Sequence, residues 1–208
     1  MSVSSLVLLF LFNCSDTKES LPSNQTSLFS RHVGKQISMT TAERWINRYK
    51  QNNGSFKTNT SPIVTEEILR VLVNPITESL GISFHRAIDQ NGNYHILVVP
   101  VKEGQSIWDA VNVLDANEGL FINPQTARSW AMKYKDENPN EIWSHFFGAE
   151  LFEYPFVTIE LIEALNDKNE TQLLLYITKN QSSTSGRENS EKVEIYDASH
   201  PCPTICHE

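Results

Sequence analysis

The sequence predicts an α+β fold in which a helix-helix-strand-strand unit occurs twice and antiparallel sheet carries helices on one face. Three observations support this prediction: a helical pattern that occurs twice with matching residues, a shorter match that follows each copy, and strand-like segments after both. Helices and hairpins that are segregated along the chain are typical of α+β domains with antiparallel sheet.

The first element of each copy is an amphipathic helix, predicted at residues 37–50 and 122–135. The two segments align without gaps and share the pattern Thr-Ala-x-x-Trp-x-x-x-Tyr-Lys. Apolar residues at i, i+3, i+4 and i+7 define one helix face: Ala42, Trp45, Ile46 and Tyr49 in the first copy, and Ala127, Trp130, Ala131 and Tyr134 in the second. Aromatic residues at this spacing favour a core between helix and sheet over a ligand-stacking platform.

Both helix starts carry capping residues. Ser38 or Thr40 can accept the free amide hydrogens at the start of the first helix. Asn123 followed by Pro124 gives the second helix the order of cap and proline that is typical of a helix start.

The second element is predicted from a match between residues 64–72 and 157–165. A Thr near the start of each segment can cap a short helix, so we expect a helix in both copies. The neighbouring carboxylates Glu66 and Glu67 are explained by the helix dipole, which favours acidic residues in the first turn, rather than by acid–base catalysis.

Strands are predicted to complete each copy. Residues 81–88 and 94–101 alternate apolar with polar or small side chains around the turn residues 89–93, which predicts a β-hairpin. The second copy offers strands at 172–178 and 192–196, joined by a polar loop at 180–190.

The N-terminus predicts export and lipid attachment. Residues 6–12 are apolar but too few to span a bilayer, which needs about 20 helical residues, and they are followed by Cys14 and a polar stretch. This order resembles a bacterial lipoprotein, although Phe12 and Asn13 replace the small residues usual before the cysteine, and no Lys or Arg precedes the apolar run. The alternative is a buried N-terminal strand with Cys14 in the core.

The resulting division of the chain has five parts. We expect a signal peptide with its lipidation cysteine at 1–14, a flexible tether at 15–35, the two α+β repeats at 36–115 and 116–198, and a cysteine-containing tail at 199–208. The predicted location is the bacterial cell envelope, on its periplasmic or surface face. The membrane is reached through the lipid, and stable anchoring generally needs more than one acyl chain.

Composition and motifs exclude several functions. The net charge of −8 comes from scattered acidic residues, so nucleic acid is not expected as a partner. The sequence contains no phosphate-binding loop, dinucleotide fingerprint, His-Glu-x-x-His zinc helix or serine-nucleophile elbow. His145 follows Ser144, but adjacency in sequence does not make a catalytic pair, and a half-buried structural histidine is expected there. We therefore assign no catalytic residue and no cofactor.

The C-terminal tail offers three interpretations. If Cys14 is lipidated, Cys202 and Cys206 remain as an even pair in an oxidising compartment, which favours a disulfide contributing at most about 2 kcal/mol. Zinc binding by these cysteines with His200 and His207 is the second interpretation, and a redox-active dithiol is the third.

Several segments together carry a family resemblance. They are the helix with its Ala and Tyr, the second short helix, the strand that begins at Gly81 and runs into Asp89 and Gly92, and the ending Cys-Pro-Thr-Ile-Cys. They resemble an uncharacterised family of small exported proteins and lipoproteins of Bacteroidetes-type bacteria. That family shows Gly-Ile-Arg-Ile-Tyr-x-Gly at the strand and Cys-Pro-Pro-x-Cys at the end. The departures in this chain are Ser83, His85, Ala87 and Thr204.

The resemblance implies a location and a fold but no activity. Our expectation from the sequence is a cell-envelope lipoprotein that acts as a non-catalytic binding or structural module, with a possible envelope protein as partner. The alternatives are a hydrolase-type envelope enzyme with dispersed catalytic residues, and a metal-binding or redox protein that uses the tail. A binding module should show an exposed apolar or aromatic patch with no strongly perturbed titratable groups, whereas an enzyme should show a concave pocket where such groups converge.

Overall fold

The computed structural model describes residues 35–53, 61–74, 81–102, 105–109, 112–148, 158–181 and 190–197. The helices in these ranges are α1 (Met39–Asn53), α2 (Glu66–Val73) and α3 (Pro124–Glu137). The strands are β1 (Lys35–Gln36), β2 (Ile63–Thr65), β3 (Gly81–Ile88), β4 (Tyr94–Lys102), β5 (Gln105–Ser106), β6 (Val113–Asp115), β7 (Leu120–Ile122), β8 (Ser144–Gly148), β9 (Thr158–Leu165), β10 (Thr171–Gln181) and β11 (Ser190–Asp197). Among the described residues, no helix is long and apolar enough to cross a membrane.

The strands form two sheets, and every pairing is antiparallel, so the predicted α+β class is confirmed. Sheet 1 has the order β1-β11-β10-β9-β2. Sheet 2 has the order β7-β6-β4-β3-β8, with β5 paired to β4.

The elements stack in four layers. The main core lies between the sheets and is contributed by both, for example by Phe84 of sheet 2 and Leu161 of sheet 1. Helix α1 covers the outer face of sheet 1, where Trp45 packs, and α3 covers the outer face of sheet 2, where Tyr134 packs. Each sheet therefore has a helix on one face, as the sequence predicts, and is buried on both.

The two repeats are intertwined. The first half of the chain supplies the central strands β3, β4 and β6 of sheet 2 but the edge strands β1 and β2 of sheet 1. The second half supplies β9, β10 and β11 at the centre of sheet 1 and β7 and β8 at the edges of sheet 2. Helix α1 therefore packs on β9, and α3 packs on β3. The predicted repeats at 36–115 and 116–198 do not form separate domains, because each contributes to both sheets.

Two matching turns show which residues of the halves are equivalent. In the β3–β4 turn, Asp89 Oδ1 accepts the amides of Asn91 and Asn93 at 2.8 and 2.7 Å. In the β9–β10 turn, Asn166 Oδ1 accepts the amides of Lys168 and Glu170 at 2.8 and 2.9 Å. The positive φ of Gly92 (+88°) recurs at Asn169 (+62°), since each turn needs a left-handed residue at that place. Strand β3 is thus the counterpart of β9, and β4 of β10.

The helix predicted at 157–165 is wrong, because residues 158–165 form strand β9. The prediction rested on the match with residues 64–72 and on a Thr near the start of each segment, but only the first segment contains a helix, α2. In the structure, Glu160 and Glu163 lie on opposite faces of strand β9. Glu163 can lie on the inner face because its charge is paired with that of Arg86. The residue at 157 lies outside the described residues.

The other predicted elements are confirmed. The β3–β4 hairpin has the expected turn, and β10 pairs with β11 up to residues 181 and 190, between which the rest of the polar loop lies outside the described residues. Asn123 caps α3, and Thr65 caps α2 by accepting the amide of Ile68. Ser38 Oγ accepts the amide of Thr41 at the start of α1, at 3.2 Å.

Candidate ligand-binding cleft

All residues of the predicted tail and lipid sites lie outside the described residues, namely Cys14, His200, Cys202, Cys206 and His207. In the described part of the chain, no group of three or more His, Cys, Asp or Glu residues is arranged to hold a metal ion. Glu66 accepts a hydrogen bond from Arg70 one turn later, at 2.5 Å, as expected for a charged residue that supports the start of α2.

The aromatic stripe of the two repeat helices forms core. Trp45, Tyr49 and Tyr134 are buried, which confirms the prediction of packing between helix and sheet. Trp130 is partly buried and its ring lies 4.9 Å from that of His95. His145 is 1% exposed, so it is more deeply buried than the half-buried side chain we predicted.

An ion pair lies between the sheets at equivalent positions of the two halves. Arg86 of β3 donates from Nε and Nη2 to the two carboxylate oxygens of Glu163 of β9, at 2.8 and 2.7 Å. Their side chains are 2% and 7% exposed. Because the two residues are counterparts in the repeat and contact each other, the pair marks the axis that relates the halves.

Neighbouring groups complete this network and fix its protonation. Tyr94 donates its hydroxyl to Glu163 Oε1, and Arg86 Nη1 donates to the carbonyl of Ile142 and lies 3.0 Å from Nε2 of His145. Burial alone would lower the pKa of Arg86, but the Glu163 carboxylate raises it well above its usual value. Burial and the Glu163 charge raise the pKa of Tyr94. Near neutral pH, Arg86 therefore stays charged and Tyr94 stays a neutral donor.

A cleft of about 210 Å³ opens beside this network, where α1, β9 and sheet 2 meet. It is lined by Ile46, Lys50, Ser61, Pro62, Tyr94, Ile96, Asn117, Glu160, Leu161, Ile162 and Glu163. Asn117 is held by its side-chain oxygen, which accepts the amide of Ile96 at 2.7 Å. The cleft thus combines apolar walls with a few polar groups, which is the usual composition of a small-molecule site.

The equivalent place in the other half is filled by aromatic rings. There His85 is the counterpart of Ile162, and its ring lies 4.6 Å from Trp108 and 5.1 Å from Trp143. Lys135, the counterpart of Lys50, places its ammonium 5.3 Å from the Trp143 ring centroid. The duplication has therefore produced an open cleft on one side and a packed core on the other.

A Ser–His cluster lies in that packed side, and we did not predict it. Ser83 Oγ and Ser106 Oγ lie 2.8 and 3.1 Å from Nε2 of His85. Nδ1 of His85 is buried without a hydrogen-bond partner among the described residues, and burial lowers the pKa of His85 to about 3. The alternation of Ser83, His85 and Ala87 along β3, all departures from the resembled family, was the signal that these residues share a strand face.

A third polar cluster lies under α3. His95 Nδ1 is 2.8 Å from Asp115 Oδ2, and its Nε2 is 3.7 Å from Asp89 Oδ2. The Asp115 contact raises the pKa of His95, and burial opposes it. Asp89 would have its pKa raised by burial, but hydrogen bonds from Asn93 and Asn91 lower it to about 2.

The counterpart of this cluster under α1 has no histidine. Gln172 stands in place of His95, and Asp197 in place of Asp115. Trp45 Nε1, Gln172 Oε1 and Asp197 Oδ1 are buried without a hydrogen-bond partner among the described residues. Burial raises the pKa of Asp197 to about 6, with Lys35 acting in the opposite direction.

Comparison with known proteins adds no further assignment, since no family model, curated protein or solved structure matches the chain.

Proposed function

We propose that the chain is a non-catalytic binding module of the bacterial cell envelope and that the cleft beside Glu163 is its ligand site. The resemblance to the exported family and the lipoprotein-like N-terminus support the location, with the membrane reached through lipid on Cys14. A further envelope protein is a possible partner of such a module.

The ion pair at the cleft supports binding rather than catalysis. The concave pocket was the feature expected of an enzyme, and Tyr94, whose pKa is perturbed, lines it, while Arg86 contacts the lining residue Glu163. However, the pKa values of Arg86 and Tyr94 move away from neutrality, whereas a general acid or base works best with a pKa near the operating pH. Groups with fixed protonation suit recognition of a polar ligand.

Blocking the cleft tests this proposal. Ser61 is exposed at the rim, so Ser61→Trp should fill the opening without disturbing a core. Calorimetric titration with a panel of amino acids, sugars and nucleosides should find a ligand that binds the native chain and not this variant. Gln90→Trp, on an exposed turn outside the cleft, is the matched control and should bind normally. Equal binding by native chain and Ser61→Trp would refute the cleft as the site.

Lipid attachment is tested by Cys14→Ser. Metabolic labelling with a fatty acid should mark the native chain, and the variant should lose the label and appear in the soluble fraction. A variant that stays in the membrane fraction would refute the lipid anchor.

For the tail, we propose a disulfide between Cys202 and Cys206. Mass spectrometry without reductant should find the peptide with both cysteines two protons lighter than its reduced form. Free thiols, or stoichiometric zinc with His200 and His207 as further ligands, would favour the redox or metal interpretation instead.

A hydrolase is the second candidate function, and the 2.8 Å contact between Ser83 and His85 favours it. Against it, no carboxylate contacts Nδ1 of His85 among the described residues, and a base with a pKa of about 3 accepts a proton poorly at neutral pH. A fluorophosphonate probe should leave the native chain unlabelled. Labelling that disappears in Ser83→Ala or Ser106→Ala would establish the hydrolase.

A further inference from the structure

Two opposite charges line the cleft, and neither has an ion-pair partner among the described residues. Lys50 lies in the last turn of α1, and Glu160 lies on β9. Neither forms an ion pair with a described residue, and they do not pair with each other. By contrast, Arg44 and Arg48 of the same helix both pair with Asp167.

We propose that the ligand of the cleft is a zwitterion of amino-acid size, with its carboxylate at Lys50 and its ammonium at Glu160. This inference rests on the proposed function, which makes the cleft a binding site.

The other half of the chain shows that this charge arrangement is not required by the fold. The counterpart of Lys50 is Lys135, whose ammonium lies near the Trp143 ring. The counterpart of Glu160 is Ser83, which is uncharged and hydrogen-bonds to His85. The lysine is thus kept in both copies, whereas the carboxylate occurs only beside the open cleft, so Glu160 is the charge that a ligand explains best.

Glu163 also lines the cleft, but it lies on the opposite face of β9 from Glu160 and is paired with Arg86 between the sheets. A carboxylate can accept about four hydrogen bonds. Three are supplied within the chain, two by Arg86 and one by Tyr94. Glu163 is therefore largely occupied by its own partners, which leaves Glu160 as the carboxylate for the ammonium group.

The size and the walls of the cleft limit the rest of the ligand. A volume of about 210 Å³ lies below the roughly 300–1,000 Å³ of sites for drug-sized molecules. Ile46, Leu161 and Ile162 offer apolar contact for a short aliphatic side chain. Ligands with one charge or none would leave Lys50, Glu160 or both without an opposite charge, so charge complementarity favours a zwitterion over them.

The test is calorimetric titration of the whole chain with norleucine, hexylamine, hexanoate and glucose. Norleucine should bind saturably, and the analogues with a single charge should bind at least about tenfold more weakly, the usual effect of losing one charged hydrogen bond. Lys50→Gln and Glu160→Gln should each lower the affinity for norleucine by a similar factor. Lys50→Gln should leave the affinity for hexylamine unchanged, because hexylamine has no carboxylate that could contact Lys50.

Control variants are available elsewhere on the surface. Lys168→Gln and Glu67→Gln remove exposed charges outside the cleft and should bind norleucine normally. If glucose or hexylamine binds with the same affinity as norleucine, and Ser61→Trp blocks that binding, the zwitterion proposal is overturned while the proposed function stands. If none of these compounds binds at the cleft, and none of the amino acids, sugars and nucleosides of the Ser61→Trp test does so, then the zwitterion proposal and the proposed function are both overturned.

Discussion

Arg86 and Glu163 place opposite charges in the interior between the sheets, where neither can recover its hydration. Removing one partner leaves the other buried and uncompensated, so Glu163→Gln should lower the free energy of unfolding by about 3–5 kcal/mol. Asp167→Asn is the control, since it breaks exposed pairs with Arg44 and Arg48 and should cost less than about 1 kcal/mol. Urea denaturation measures both, and equal losses would show that the buried pair has no special role.

Asp197 should make stability depend on pH. Its pKa in the folded chain, about 6, lies above its ordinary value of 3.8, so the native state binds this proton more tightly than the unfolded chain does. The stabilisation is complete below the ordinary pKa of 3.8, is still mostly present at pH 4, and is lost as the pH rises through 6. Asp197→Asn should therefore stabilise the chain at pH 7.5, by at most about 3 kcal/mol, and leave it unchanged at pH 4.

The exposed Asp136 on α3 provides the control for this measurement. Asp136→Asn should show no such difference between the two pH values. If Asp197→Asn gives the same change in unfolding free energy at pH 4 and pH 7.5, the carboxyl does not titrate abnormally.

At the scale of elements, the sequence predicted the features that depend on contacts between residues close together in the chain. The stripes of α1 and α3, the Asn123 cap and the turn at 89–93 all depend on residues a few positions apart, so the sequence contained them. Strand β9 was missed because a helix was carried over from the match with residues 64–72, whereas residues 158–165 pair with β10 and with the distant β2, which no local pattern reveals. The cleft was missed for the same reason, since its walls come from segments far apart in sequence.

The helix faces can be tested by truncating their tryptophans. Trp45 is buried against sheet 1, so Trp45→Ala should lower the unfolding free energy by about 3–5 kcal/mol. Trp130 is only partly buried, and Trp130→Ala should cost less. Phe121→Ala on edge strand β7, where the side chain is 40% exposed, is the control and should cost about 1 kcal/mol at most. A loss for Phe121→Ala as large as for Trp45→Ala would contradict the assigned core.

At the scale of the whole molecule, the exchange of strands between the halves predicts that the chain folds and unfolds in a single step. The sequence predicts two similar units but not their intertwining. The apolar face of a helix is buried equally well on strands of its own half or of the other half, so the pattern does not show which sheet the helix joins. Since α1 depends on β9 and α3 on β3, neither half can complete its helix-to-sheet core alone. We therefore expect the two repeats to unfold as one cooperative unit.

Cooperativity is measured by following unfolding with two probes. In Trp45→Phe the remaining tryptophans, Trp108, Trp130 and Trp143, all pack on the sheet 2 side and report on it by fluorescence. Their transition in urea should coincide with the loss of far-ultraviolet circular dichroism, which reports on both sheets. Two separated transitions would mean that the halves unfold independently.

The most direct test of the cleft as a ligand site is a titration followed by backbone amide resonances. The native chain is mixed with the small polar ligand that binds it best, and shifts are assigned along the sequence. We predict that the amides of Ile96, Leu161 and Ile162 shift together and saturate at one ligand concentration, because these residues line the cleft. Saturating shifts that centre instead on Ser83, His85 and Ser106, with the resonances of the cleft amides unchanged, would contradict the assignment of the cleft as the ligand site.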